Sequence, residues 1–418
     1  MNDQTQHDAA ALTVVHSTGS WLPLTENWIY TQVKYLPDDV ACHVLCRKTA
    51  NVAQYGVPNM HVYNSETSAL QRCWDGVCRD VVGTRSPGFF RTRARRIGPR
   101  VVHSHFGVRG WCDIPLAQRA GAAHVTTFYG YDVHKVPQGN PKWRARYREL
   151  FAAGDLFLCE GPHMARCLQR LGCPPGKVRV QHLGIPVGDI RFAPRRYSAG
   201  EPLRALIAAS FVEKKGIPYA LEALGKLQRR MPVVVTIIGD ARGANHRCGA
   251  VWQFLRRSRR TLKQVFGRPM SDSATEKMRI VAALESSGLM SNATLLGYQP
   301  RDRLLAEAYR HHIFLSPSVT AADGDTEGGA PVAIIEMAAT GMPVVATNHC
   351  DIPEVLRYGD GSWLAEERDV EGLAGLIEQW LHHANHWPDL LARQRHYIEH
   401  EFDAVRQGGR LAELYRQL

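Results

Sequence analysis

The chain has 418 residues, 44% of them apolar and 22% charged, with a formal charge of +11 at pH 7. That length suits two or three cores rather than one, and the composition excludes a disordered or fibrous chain. There is no apolar run long enough for a membrane span and no basic, apolar secretory leader; the cysteines, Cys42, Cys46, Cys73 and Cys78 among them, lack CxxC or zinc-finger spacing and read as reduced thiols of a cytoplasmic protein.

Leu12 to His16 reads as a short strand ending in the small-residue turn Ser17-Thr-Gly-Ser20, followed by a helix over Tyr30 to Leu36. Strands recur at Val40 to Cys46, Val101 to Ser104, Ala123 to Thr127 and Leu156 to Cys159, alternating with helical spans, which predicts a parallel α/β sheet. Arg91, Arg93, Arg95, Arg96 and Arg100 form the densest basic cluster. Without a helix-turn-helix, an RRM or an aromatic-interleaved basic strand, nucleic acid is disfavoured. An anionic membrane surface, worth about 1 kcal/mol per basic residue, and a plain solvated face both remain open. His103-Ser-His105-Phe-Gly107 and Thr126-Thr-Phe-Tyr129-Gly130-Tyr131-Asp132 follow strands, so their side chains should emerge at the ligand-binding C-terminal edge of the sheet. The bland alternative for the two histidines is satisfied packing at a strand end. Phe192 to Pro202 is polar and turn-rich and reads as a linker, which places domain boundaries at 1–195 and 196–400.

The second half restarts with strand Ala205 to Ala209, loop Ser210 to Gly216, helix Ile217 to Gln228 and strand Val233 to Ile238. A basic excursion over 242–275 has no assignment. Ala293-Thr-Leu-Leu-Gly297-Tyr298-Gln-Pro300 is a strand running into a turn. From Asp323 to Val345 the chain is densest in signal. Gly328 and Gly329 offer bare amides, Pro331 suits a first helical residue, Gly341 suits a C′ stop, and the apolar helix between holds one carboxylate, Glu336. A carboxylate there is expensive unless something binds it. The last forty residues read as amphipathic helices. Asp323-Gly-Asp325 and His396-Tyr-Ile-Glu399-His400 are passed over as metal sites, Gly172-Cys-Pro-Pro-Gly176-Lys177 lacks Walker spacing, and no Gly-x-Gly-x-x-Gly follows a strand.

The run from Asp323 to Val345 resembles the donor-site signature of retaining, nucleotide-sugar-dependent glycosyltransferases of the group 1, family 4 type. The resemblance implies the GT-B fold, two Rossmann-like domains with parallel sheets facing a central cleft. It implies Glu336 as the ribose-binding residue and Glu327 as the sugar-side one, with Gly328, Gly329 and Ala330 at the donor; eight residues separate the glutamates here against the usual seven. Ser210-Phe-Val-Glu-Lys-Lys215-Gly216 is similar to the family's diphosphate clamp, with Lys215 matched but Ser210 in the arginine's place. Arg242, or the Gly328 and Gly329 amides, could stand in. Gly297 and Tyr298 match the base-binding turn. The Thr126 string resembles Thr-x-His-Gly-x-Asp, with Tyr129 in the histidine's place, Asp132 at the aspartate, and His105 able to supply an imidazole from the next strand. Val178 to Pro186 resembles the close of the N-domain, and a terminal helix over 401–418 is expected to return to it.

The resemblance implies metal-independent, cofactor-free transfer from a nucleoside diphosphate sugar to a glycan or lipid-linked acceptor in exopolysaccharide or lipopolysaccharide assembly. The protein would then be cytoplasmic, at the inner face of the membrane through its basic patch. A sugar-nucleotide hydrolase or epimerase on the same fold, and a non-catalytic sugar-nucleotide-binding subunit, are the rival readings.

Overall fold

Parallel strand pairing organises both halves of the chain. The structure, a computed structural model, describes residues 12–23, 26–241, 272–357 and 363–418. It divides into two units, Met1–Pro186 with Glu401–Leu418, and Val187–His400.

The first unit holds β1 (Leu12–Trp21), β2 (Val40–Thr49), β3 (Met60–Val62), β4 (Val101–His105), β5 (Ala123–Thr127), β6 (Leu156–Cys159) and β7 (Val178–Val180), ordered β3-β2-β1-β4-β5-β6-β7. Every pairing is parallel. All five residues of β4 are buried, so the polar ones among them must find partners inside the fold. The expected turn at Ser17–Ser20 is corrected: β1 continues to Trp21, because pairing with β2 overrides the turn preference of small residues. The Gly107–Ala120 helix lies hard against β5's exit, where a Cβ on Gly107 would come 2.2 Å from the Phe128 ring. Helix Ala404–Arg416 belongs to this unit; Asp403 bridges Ile185, and Gln181 donates to Gln407 at 2.7 Å.

The second unit holds β8 (Leu203–Ala208), β9 (Val233–Ile238), β10 (Ala293–Gly297), β11 (Ile313–Ser316) and β12 (Val344–Ala346), ordered β10-β9-β8-β11-β12, again all parallel. Phe192–Pro202 is not a free linker. Ala193 and Arg195 donate their amides to Thr340 and Gly341, and the buried Arg195 guanidinium bonds the carbonyls of Ala308, His311 and Thr340. A cation spent on carbonyls at the C-terminal ends of two helices, Arg301–Ala308 and Val332–Ala339, is well placed against their dipoles. Pro331 sits at the N-cap of the latter helix, one residue earlier than expected. Of the basic excursion, 242–271, including Arg242, lies outside the described residues; helix Asp272–Ser286 follows it.

Among the described residues no helix is long and apolar enough to cross a membrane, and the cysteines are unbridged.

Candidate functional site

In the second unit, the loop after β8 turns through a short 3-10 segment, Glu213–Lys215, and ends at Gly216 with φ 61°. A side chain at Gly216 would overlap the carbonyl of Pro317 beyond β11, so only glycine lets the two loops meet. That approach places Lys215 Nζ 2.8 Å from Glu327 Oε2, while Lys214 Nζ reaches Asp325 Oδ1 at 3.3 Å and the Thr326 carbonyl at 2.8 Å. Ser318 Oγ donates to the other Glu327 oxygen at 2.8 Å. Burial alone would raise the Glu327 carboxyl, but Lys215, Lys214 and the two side-chain hydrogen bonds outweigh it and hold the group below its ordinary value. The Glu327 amide donates to His349 Nε2 at 3.1 Å, which assigns the ring proton to Nδ1, where Glu367 accepts it at 2.6 Å.

Glu336 has a partner that sequence reasoning missed. Arg301 Nε lies 2.5 Å from Oε1, and the glutamate side chain is only 9% exposed. The expectation that only a bound ligand would offset its burial is therefore corrected: a protein cation 35 residues away already does so. Arg301 Nη2 is buried without a hydrogen-bond partner. The Gly328 amide is not bare, as expected, but donates to Thr326 Oγ1 at 3.2 Å. Gly329 is buried and Ala330 half-buried in the same loop. Gly297, with φ 68°, accepts from the Gly239 amide, and the Tyr298 hydroxyl donates to the Asp240 carbonyl at 2.9 Å, so the turn after β10 is pinned to the loop after β9. Ser210 begins the β8 loop and brings no charge. Asp323 and Asp325 are committed locally, one to the Asp325 amide and the other to Lys214.

In the first unit the strand ends carry a chain of neutral groups. His16 Nδ1 lies 3.1 Å from His105 Nε2, His105 Nδ1 lies 2.7 Å from the Tyr129 hydroxyl, and Gln32 Nε2 donates to that hydroxyl at 3.1 Å. His103 is held by Tyr415 and Thr127 at 2.5 and 2.6 Å. Burial depresses His16 to about 3 and pushes His103 and His105 well below the usual histidine value, with neighbouring imidazoles adding to it. Burial likewise raises the Tyr129 phenol. The three rings bring one nitrogen each within 4.8 Å of one another; both nitrogens of His103 and His105 are hydrogen-bonded, those of His105 to His16 and Tyr129, and His16 Nε2 is buried without a partner among the described residues. Asp132 uses both oxygens on backbone amides, Gly107 at 2.6 Å and Tyr129 at 3.0 Å; burial lifts its carboxyl to about 6 against the pull of those amides.

Asp132 thereby tethers Phe106-Gly107 to Tyr129. Phe106 has φ 73° and ψ 139°, a conformation costly for a side-chain-bearing residue. Its ring packs on Tyr129 with centroids 4.8 Å apart and borders a 550 Å³ cavity with Thr18, Ser20, Glu26, Arg47 and Lys48. Arg47 and Lys48, exposed at the end of β2, carried no motif in the sequence; their place follows only from the sheet order.

Of the five clustered arginines, Arg93 is spent on Glu66 at 2.6 Å and Arg100 reaches the Arg416 carbonyl, whereas Arg95 and Arg96 are exposed on helix Gly88–Ile97.

Comparison with known proteins supplies the family and the fold. Residues 191–399 match the family described as glycosyl transferases group 1, and residues 25–188 match glycosyltransferase family 4. The chain is 30% identical over 322 residues to WcaL of Escherichia coli K12, which carries the name of a colanic acid biosynthesis glycosyltransferase; the match covers 76% of this chain and 70% of WcaL. It is 29% identical over 320 residues to the amylovoran biosynthesis glycosyltransferase AmsK of Erwinia amylovora, covering 75% and 69%. Among solved structures, Anabaena HepE in complex with UDP and glucose superposes with a TM-score of 0.70 at 12% identity, over 97% of this chain and 100% of that one. Sucrose-phosphate synthase from Thermosynechococcus elongatus does so at 0.68 and 14%, over 97% and 98%. With its two parallel α/β units in the GT-B fold, the chain belongs to the group 1, family 4 glycosyltransferases.

Proposed function

We propose that this glycosyltransferase is a retaining enzyme that moves a sugar from a nucleoside diphosphate donor to a glycan or lipid-linked acceptor in exopolysaccharide assembly. The observation that carries the reading is the Lys215–Glu327 pair, poised in the same unit as the helix-borne Glu336. Cleaving the bond between the anomeric carbon and the diphosphate oxygen builds negative charge on the leaving group, and cations fixed beforehand stabilise it. Lys215, with Lys214 beside it, is that fixed charge. Glu336 accepts from the ribose hydroxyls, oriented by Arg301. The acceptor oxygen bonds the anomeric carbon on the face the diphosphate leaves, and its proton passes to the departing phosphate, so no enzyme nucleophile takes part. No metal has a role in this reading. Names of the relatives support the polysaccharide setting, and the UDP and glucose bound by HepE support a nucleotide-sugar donor. The acceptor side is assigned to the first unit's cavity, and its exposed arginines to the cytoplasmic face of an anionic membrane.

The test is incubation of purified protein with a panel of UDP-, GDP- and other nucleotide sugars, with and without glycan acceptors, resolving the anomer formed. A product that keeps the donor's anomeric configuration supports the proposal. Free sugar alone points to a hydrolase, an epimerised nucleotide to an isomerase, and binding without turnover to a non-catalytic subunit.

A further inference from the structure

Helix Ala69–Val82 in the first unit is amphipathic but turned inside out. Two of its charged side chains, Arg72 and Asp75, face the protein, while Gln71 and Asp80 are exposed. Arg72 donates to the carbonyls of Asn64 and Thr67, and Asp75 accepts from the Tyr63 hydroxyl at 3.0 Å and the Gly88 amide at 3.2 Å. Leu70, Trp74, Val77 and Val81 meanwhile stand 84%, 68%, 51% and 78% exposed. At about 100° per residue these four fall within roughly 60° of arc, a single stripe along the helix. Surface helices ordinarily bury such a stripe. Ser68 caps the start and Gly83, with φ 71°, closes the end, so the element is finished at both ends, and among the described residues nothing covers its face.

We propose that this stripe lies in the interfacial layer of an anionic lipid membrane, with the Gly88–Ile97 helix as its electrostatic companion. An in-plane helix needs an apolar face, an aromatic residue at headgroup depth, and basic residues close by. Trp74 is the aromatic residue. The companion helix carries four arginines and no acid, and Arg95 and Arg96 have no ion pair among the described residues. A second copy of the chain fits less well. The stripe exposes on the order of 500 Å², short of the ~800 Å² per partner of a standard interface. Pairing two such faces would also bring two chains of formal charge +11 together. This inference rests on the membrane part of the proposed function and names the surface that enters the bilayer.

Co-sedimentation of the full chain with phosphatidylethanolamine–phosphatidylglycerol vesicles and with phosphatidylcholine vesicles tests it, using Leu70→Glu/Trp74→Glu and Arg95→Gln/Arg96→Gln variants. Both sets of side chains are exposed, and a thermal melt confirms that each variant is folded. The glutamate pair should weaken binding to both vesicle types by on the order of 100-fold. The glutamine pair should weaken binding to the anionic vesicles only, by about 30-fold. Loss with the glutamine pair but not with the glutamate pair overturns the helix assignment and leaves the basic-patch reading standing. No vesicle binding by the unaltered chain overturns both. Self-association of the unaltered chain in sedimentation velocity, abolished by the glutamate pair, gives the stripe to a second copy and likewise overturns the proposal.

Discussion

At their candidate sites the two units handle buried polarity in opposite ways, although the first also holds a buried ion pair outside that chain of groups, Arg109 with Asp113. In the second, charge is set against charge: Lys215 on Glu327, Lys214 on Asp325, Arg301 on Glu336. In the first, groups that could be charged are kept neutral and joined end to end, from His16 through His105 and Tyr129 to Gln32. Paired charges suit a ligand that brings its own charge, because an arriving diphosphate can take over one partner. A neutral chain suits uncharged hydroxyls, which need donors and acceptors of fixed direction. Under the proposed function, donor chemistry falls to the second unit and sugar hydroxyls to the first.

The sharpest way to break that contrast is Glu336→Ala. It removes the proposed ribose acceptor and strands Arg301, and nucleotide binding should fall below detection in calorimetry; unchanged affinity refutes the ribose role. Lys215→Ala comes next. Donor affinity should drop on the order of 100-fold, and unfolding should lose about 1–3 kcal/mol, because Glu327 would be left buried with its nearest cation gone. Lys226→Ala is the control. Its pair with Glu371 is shorter at 2.5 Å, but the side chains are 40% and 79% exposed, so solvent screening should limit the change to about 0.5 kcal/mol. If both lysines cost the same, short distance rather than burial governs these pairs and the argument for Glu327 fails.

Acid should separate the units. His16, His103 and His105 have folded-state values depressed by burial. A depressed group leaves stability whole above its unfolded value and removes it as pH falls toward the folded one. For His16 that window runs from 6.5 down to about 3. Each ring should cost about 1 kcal/mol over the first pH unit below its unfolded value, and about 1.4 kcal/mol for each further unit above its folded one. Asp132, raised to about 6, acts in the other direction: protonation favours the folded form as pH falls from about 6 toward 3.8. Three rings outweigh one carboxyl. Glu327, depressed as well, keeps its contribution until pH falls below the ordinary carboxyl value. Calorimetric melts at falling pH should therefore show the first unit destabilised more steeply than the second, which carries two such rings of its own, His311 and His312, the latter depressed by burial to about 4; His16→Phe should flatten the slope, and an unchanged slope would exclude His16 as its source.

The features readable from the sequence were local. The glycine loop, the apolar helix and its stop at Gly341 depend on residues within one turn of each other, and so does the Glu-Lys-Lys-Gly loop. The unreadable ones depend on strand register. Parallel pairing of β1 with β4 sets His16 beside His103, and β4 with β5 sets His105 beside Thr127; neither neighbour relation is written in spacing along the chain. Arg301 sits at the start of an unremarkable helix, and His349 and Glu367 are marked by no motif, so their partnership with the glutamates appears only once β10, β11 and β12 are placed. The turn reading of Ser17–Ser20 failed for the same reason, since small residues in a central strand are held by their neighbours rather than by their own preference. The inverted helix was unreadable too: its stripe has the spacing of an ordinary core-facing one.

The finest test concerns Tyr129. Two proton arrangements satisfy the His16–His105–Tyr129 distances. In one, the phenol donates to His105 Nδ1, and the proton on His105 Nε2 points at His16. In the other, His105 Nδ1 donates to the phenol, which already accepts from Gln32, leaving the phenolic hydrogen to be shared between the neighbouring Thr127 hydroxyl and a sugar hydroxyl. Only the second makes Tyr129 a recognition residue. Tyr129→Phe should cost about 1 kcal/mol in unfolding by stranding Gln32 and His105. It should leave donor affinity within about twofold and lower kcat about tenfold by removing one hydrogen bond to the reacting sugar. A drop in stability with kcat unchanged would confine Tyr129 to holding the strand ends together. Replacement of His105 by Gln separates the cases further, because a glutamine side-chain amide can still donate to the phenol and keep its hydrogen pointed outward, so activity retained in that variant but lost in Tyr129→Phe would fix the direction of the chain.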